Sequence, residues 1–162
     1  MEWSPTSCRE VVAVVLTHRG RIGLFRRSDG VTWDTGLWHC ITGYLPSCED
    51  PLTQALVEIA EEAGIAAAEL ELQNTAVVEQ HDSEGNVWRI HAFHFQSLTE
   101  IVTLNWEHDA AHWFDPAQLG MMRTVMWLGT VLGALSVTGY LQAMPVLTQM
   151  QNHGEDTYVE KA

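Results

Sequence analysis

Lysine is almost missing from this chain: of its 162 residues only Lys161 is one, and eight bases in all face twenty-one acids. A formal charge of −13 repels a phosphate backbone, which excludes a nucleic-acid polymer as partner. A small phosphate-bearing substrate would need a cation to bridge it to the protein. Cysteine is scarce as well. Cys8, Cys40 and Cys48 are odd in number and have no CxxC spacing, which argues against a disulfide framework or zinc knuckle and for the cytoplasm. The first residues, up to Val11, lack the apolar core of a signal peptide. Thr124–His153 holds no Asp, Glu, Lys or Arg, but its Val125–Leu141 part carries three glycines, two threonines and a serine. That is too mixed for a span of about 20 apolar residues. Gly129-x-x-x-Gly133 suits a close helix crossing in a soluble core equally well. No membrane partner is expected.

What the chain does have is an ordinary apolar fraction, 46%, and room for one domain, expected over residues 1–148 with a polar tail at 149–162. Val11–Leu16 is a continuous β-branched run, the mark of a strand covered on both faces. It turns at His18-Arg19-Gly20 into a second strand, Arg21–Arg27, and a polar loop, Ser28–Gly36, follows. Leu37–Thr42 reads as a short strand stopping at Gly43. Ala76–Glu79 and Val87–Gln96 read as strands around the turn His81–Asn86. Trp113-Phe114-Asp115-Pro116 ends a further strand and opens a helical turn. A long helix is expected over Arg123–Thr138, closed by Gly139. Strands interleaved with two separated helices predict a mixed sheet between helices.

The best-signalled element is another helix. Asp50 is placed to be its N-cap, Pro51 its first residue and Gly64 its left-handed stop. On a wheel of about 100° per residue with Val57 at zero, Glu61, Glu58 and Glu62 fall at about 40°, 100° and 140°. Leu52, Leu56, Ile59, Ala60 and Ala63 take the opposite arc, so the apolar arc is expected to enter the core and the carboxylates to face away from it. Like charges this close cost a few tenths of a kcal/mol per pair, and no Lys or Arg lies between residues 28 and 88 to offset them. Clustered carboxylate oxygens suit Mg²⁺ or Mn²⁺.

Around these glutamates, Gly43, Glu49, Glu58, Ile59, Glu61, Glu62, Gly64 and Ile65 stand at the spacing G-x5-E-x7-R-E-U-x-E-E-x-G-U, where U is a bulky aliphatic residue. This resembles the box of the Nudix hydrolase family. Eight of nine fixed positions match; Val57 replaces the family's arginine. Leu24–Ser28, the Trp38-x4-Gly43 approach, Trp113–Pro116 and Leu119 also look like family segments. Tyr44 departs from the usual glycine pair.

The resemblance implies an α/β/α sandwich with a mixed sheet between helices. It further implies a metal-dependent pyrophosphohydrolase cleaving a diphosphate linkage in a nucleoside diphosphate derivative or nucleoside triphosphate. Glu58, Glu61 and Glu62 would be catalytic carboxylates and, with the Thr42 carbonyl, ligands of Mg²⁺ or Mn²⁺. Glu49 would support them, Gly43 and Arg27 would meet substrate, and a later acid would be recruited. For that acid Glu107, just ahead of the Trp113 strand, is preferred over Glu79, Glu84 and Glu100. Arg26 and Arg27 alternate on one strand, so at most one points to the phosphates. Trp33, Trp38 and Trp88 are candidates to stack on a base. His91 and His94 lie on opposite faces of a strand and are not a metal pair. Two other outcomes stay open: a silent module that binds a diphosphate, favoured by the loss of arginine at Val57, and a different enzyme on the same fold. A homodimer is also left open.

Overall fold

Six consecutive residues, Val11–Leu16, are completely shielded from solvent, and their alternation sets the layers of the molecule. A computed structural model describes residues 8–137. The strands are β1 (Cys8–His18), β2 (Arg21–Arg27), β3 (Trp38–His39), β4 (Ile41–Tyr44), β5 (Leu70–His81), β6 (Val87–Ser97) and β7 (His108–Phe114). The helices are α1 (Pro51–Ala63) and α2 (Leu128–Ala134). Val12, Val14 and Leu16 join Ala55, Ile59 and Ala63 of α1 in one core. Val11, Ala13 and Val15 join Val131 and Leu132 of α2 in the other. Each fully buried Val or Leu contributes about 1.5–3 kcal/mol, and β1 serves both layers. The result is the expected α/β/α sandwich. The polar tail expected at 149–162 lies outside the described residues.

The sheet is mixed. Its order is β3-β2-β1-β6-β5, with β4 also on β1 and β7 also on β2. β1 and β6 run parallel along ten paired residues, whereas β1 meets β2 only from Leu16 to His18. The hairpin turn between them, Arg19-Gly20, has φ of 50° and 76°, the left-handed pair that matches strand twist. Beyond it the two strands part, and the chain from Trp38 to Tyr44 fills the fork. Trp38 and His39 pair with β2; Ile41 to Tyr44 pair with β1. The single strand expected at Leu37–Thr42 is therefore two, divided at Cys40 where the chain changes partner. It also runs through Gly43 instead of stopping there.

Helix α1 is capped as its sequence predicts. Asp50 accepts a hydrogen bond from the Thr53 amide at 2.9 Å, and Gly64 takes a φ of 66°. Its buried face is the surprise. Ala55, Glu58, Ile59, Glu62 and Ala63 point inward, while Leu52 and Val57 are exposed. Glu61 alone of the three carboxylates faces solvent. The helix is thus rotated from the expected arc toward its own glutamates. Gly43 supplies the reason: a Cβ there would run into the Glu58 carboxylate, so a missing side chain on β4 makes the space that Glu58 enters.

The second helix is shorter than expected. Arg123–Val125 is extended and bonds along β3, through Trp38 N–H to the Arg123 carbonyl at 2.9 Å and Val125 N–H to the Trp38 carbonyl at 3.0 Å. β-branched Thr124 and Val125 gain more from that strand edge than from a helical turn. At the far end Ser136 takes a φ of 53°, and the Val137 N–H reaches back to the Leu132 carbonyl, a six-residue closure that stops the helix before Gly139. Among the described residues no helix is long and apolar enough to cross a membrane. β5 extends well beyond the expected Ala76–Glu79 because it pairs with β6 from Leu70 to His81, around a bulge between Leu72 and Asn74.

Two outcomes test this packing. Gly43→Ala should lower the melting temperature by several degrees, and adding Glu58→Ala should restore most of the loss, because the clash is between those two groups. Independent, additive effects would disprove the close packing. The second concerns His39, 1% exposed and edge-on to Trp127 at 4.3 Å between ring centres. Burial, with help from the Arg27 and His108 charges, holds its pKa well below the usual value of 6.5. Above 6.5 the folded and unfolded chains are both neutral at this site. Below it the unfolded chain takes a proton that the folded one refuses, so stability falls by up to about 1.4 kcal/mol per pH unit. Stability measured by denaturant should therefore drop from pH 7 to pH 5, and His39→Phe should flatten part of that slope.

Candidate active site

The fork in the sheet brings together the end of β4, the inner face of α1 and the start of β7. From α1 come Glu58, 2% exposed, and Glu62, 1% exposed. Glu58 Oε1 accepts a hydrogen bond from the Gln54 side-chain amide at 2.8 Å, one helical turn away. Glu62 Oε1 stands 4.0 Å from the Nδ1 of His108 at the first position of β7. From β4 come Thr42, buried, and Gly43, paired with Val12. Burying two carboxylates costs several kcal/mol per ion unless something compensates. That burial concentrates negative charge beside the Thr42–Gly43 backbone.

Opposite stands a cation. Adjacent residues at the end of β2 do alternate: Arg26 is half exposed and pairs with Asp109 at 2.7 Å, whereas Arg27 is buried. The Arg27 Nε–H donates to the Trp33 carbonyl at 2.8 Å, which pins the loop of residues 28–36 to the end of β2. Its charge is felt on both sides. Burial and then Arg27 push the pKa of His108 down to about 4, with Asp109 pulling the other way. Burial raises the Asp34 carboxyl pKa while Arg27 lowers it. At Cys40, burial and then the Glu62 charge push the thiol pKa far up.

Among the later acids the structure separates the candidates. Glu79 pairs with Arg89 at 3.3 Å on the exposed face of β5. Glu84 lies in the exposed turn after Asp82. Glu100 is exposed, and its carbonyl holds the Trp113 indole at 2.9 Å. Glu107 is buried; its carbonyl accepts from the Ser28 amide at 2.9 Å and its own N–H donates to Asn105 Oδ1. It sits between Arg27-Ser28 and His108, on the side of the fold where Glu62 lies. Glu49 remains exposed near the start of α1, away from the buried pair, and Val57 is 41% exposed.

The tryptophans sort similarly. Trp88 is buried with its N–H on Asp82, and Trp38 packs edge-on against Phe114. Trp33 and Trp106 are 43% and 56% exposed. The Trp106 ring lies against Gly30, and its carbonyl accepts from the Ser28 hydroxyl at 2.7 Å, so it borders the same loop. Sequence reasoning passed over Trp106 and His108 although they flank Glu107. Their signal was adjacency alone. His91 and His94 bond Glu10 and Thr17 respectively, as separate structural contacts.

Among the described residues no three His, Cys, Asp or Glu side chains already converge as a metal-binding group. The donor set nevertheless fits a hard cation. Its groups are buried carboxylates of one helix against a glycine-lined backbone, and the cradle at Gly43 admits no side chain in place of the Glu58 carboxylate.

Comparison with known proteins places this architecture. The NUDIX domain family model matches residues 6–131. A search of curated proteins returns no match. The solved E. coli ORF135 protein is similar at 22% identity over 88% of this chain and 96% of that one, with a TM-score of 0.63. A C. elegans Ap4A hydrolase binary complex is similar at 17% identity over 80% and 95%, TM-score 0.62. E. coli dihydroneopterin triphosphate pyrophosphohydrolase is similar at 21% identity over 78% and 92%, TM-score 0.61. Structural likeness at such identities shows a shared fold, and the family match spans most of the sequence. The chain belongs to the Nudix family.

Proposed function

We propose that this protein is a divalent-metal-dependent hydrolase of a diphosphate linkage, acting on a nucleoside diphosphate derivative or a nucleoside triphosphate. The observation that carries the reading is the pair of buried carboxylates, Glu58 and Glu62, turned toward the sheet where an ordinary amphipathic helix would present apolar groups. Glu58, Glu61, Glu62 and the Thr42 carbonyl would hold Mg²⁺ or Mn²⁺. A bound ion of this kind screens diphosphate oxygens, acidifies water and stabilises the departing phosphate. In the reaction, water oxygen bonds to phosphorus, the bridging P–O bond breaks, and a site carboxylate takes the water's proton. Glu107, buried beside this cluster, is the acid from outside the helix. Gly43 and Arg27 would border the phosphates, Gly43 by admitting the Glu58 carboxylate beside the Thr42 carbonyl and Arg27 from the end of β2, where it holds the loop of residues 28–36. Trp106 offers an indole face at the loop's edge on which a base can stack. Three free thiols, two of them exposed, suit a reducing cytoplasm.

Val57 favours a second reading, a module that binds a diphosphate ligand without cleaving it. Incubation with a panel of nucleotides, dinucleotides and nucleotide sugars decides between the two. Phosphate or diphosphate release that requires Mg²⁺ or Mn²⁺ supports the enzyme; ligand-induced stabilisation without release supports the module. Glu62→Gln should remove most of the turnover, since an amide N–H₂ then faces the cation, while metal-free stability should rise as one like-charge repulsion on α1 is relieved. Wild-type turnover in that variant would refute the assignment. Val57→Arg has room to fold, because the position is exposed. By giving Glu49 a partner it should raise turnover or tighten metal binding by about ten-fold. Glu107→Gln should impair turnover while Glu79→Gln leaves it intact; the reverse would transfer the role to Glu79.

A further inference from the structure

We propose that His108 is a positioning residue for Glu62, its Nδ1–H serving as the donor that orients the Glu62 carboxylate toward the cation. This rests on the reading of Glu62 as a metal ligand. The two groups are confined together. Both side chains are 2% exposed and their nearest polar atoms, His108 Nδ1 and Glu62 Oε1, are 4.0 Å apart. Among the described residues His108 Nδ1 has no hydrogen-bond partner, and a buried nitrogen in that condition favours closing on a nearby acceptor. Moving Glu62 Oε1 by about 1 Å about its terminal bonds would bring the pair to hydrogen-bond length.

The imidazole itself has little freedom. His108 pairs with Arg27 at the end of the β2–β7 ladder, and its ring lies 5.3 Å from that of Phe25, tilted by 49°. The backbone and Phe25 therefore fix the direction of Nδ1. A neutral imidazole offers one N–H and one lone pair. Toward a carboxylate oxygen only the N–H is attractive, so the tautomer with Nδ1 protonated is the one that fits. Donors of this type behind ligating groups typically change metal affinity by about 10- to 100-fold when removed.

The test is Mn²⁺ titration of the full chain, reading free ion by electron paramagnetic resonance, together with steady-state kinetics. Wild type, Glu62→Gln, His108→Asn and His108→Phe are compared, with folding checked by melting curves. Asparagine keeps an N–H at a similar reach; phenylalanine keeps the packing on Phe25 without it. His108→Phe should weaken Mn²⁺ binding by about 10- to 100-fold, and His108→Asn should recover to within about three-fold of wild type. kcat should follow metal affinity with KM for substrate little changed. Unaltered Mn²⁺ binding in His108→Phe, beside a weakened Glu62→Gln, would overturn the proposal and leave Glu62 as a ligand. Equal loss in the Asn and Phe variants would also overturn it, in favour of shape alone. Absence of Mn²⁺ binding in wild type, or none lost in Glu62→Gln, would overturn the metal reading and this proposal together. If His108→Phe does not fold, His108→Met takes its place as the variant without a donor.

Discussion

The chain between Trp38 and Tyr44 has to serve two strands that have already separated. β2 and β1 share only the pairs next to their turn, so a segment of seven residues bonds first to one and then to the other. The change of partner at Cys40 is what aims β4 under α1 and sets Gly43 against the helix. The helix can then sink its glutamates into the sheet at that glycine, and the site exists because of this gap. A Cβ at Gly43 would close it. The cost of enclosing carboxylates is thus incurred at the point where β4 lies directly under α1, so fold and site are one construction problem.

Electrostatics organise the space around that gap. A buried arginine, Arg27, faces two buried histidines and helps burial keep both in the uncharged state. The imidazoles therefore act here as packing groups and as donors or acceptors. In a protein so strongly acidic overall, an anionic substrate gains little from long-range attraction. On the proposed reading, a diphosphate would be drawn to this face at short range, by a cation on the carboxylates.

Much of this was legible in the amino-acid order. The caps of α1, the tight turn at Arg19-Gly20 and the β-branched run of β1 are local signals with local causes, and each appears where expected. The box spacing located the carboxylates and Gly43. The direction of those carboxylates was not legible, because a helical wheel counts apolar residues and sends charge to the outside. For Glu58 the missing side chain of a residue on another element, Gly43, makes the inward space, and Glu62 turns in toward His108 on a further strand. Arg123–Val125 escaped for a similar reason: its partner is the free edge of β3, 85 positions before Arg123 at Trp38 in sequence number, and local propensity carries no information about that edge. Glu107 was singled out from its place before a strand, and the structure buries it; its neighbours Trp106 and His108 gained meaning only when the turn folded one outward and the other in.

Cys40 carries one further consequence. It sits at the point where the chain leaves one strand for another, it is 1% exposed, and burial and a nearby carboxylate keep its thiol protonated. Cys8 and Cys48, by contrast, lie on the surface. An alkylating reagent reaches the outer two directly but reaches Cys40 only when the fork comes apart. The protein therefore contains its own clock for sheet opening, and the slowest of its three thiols counts the events.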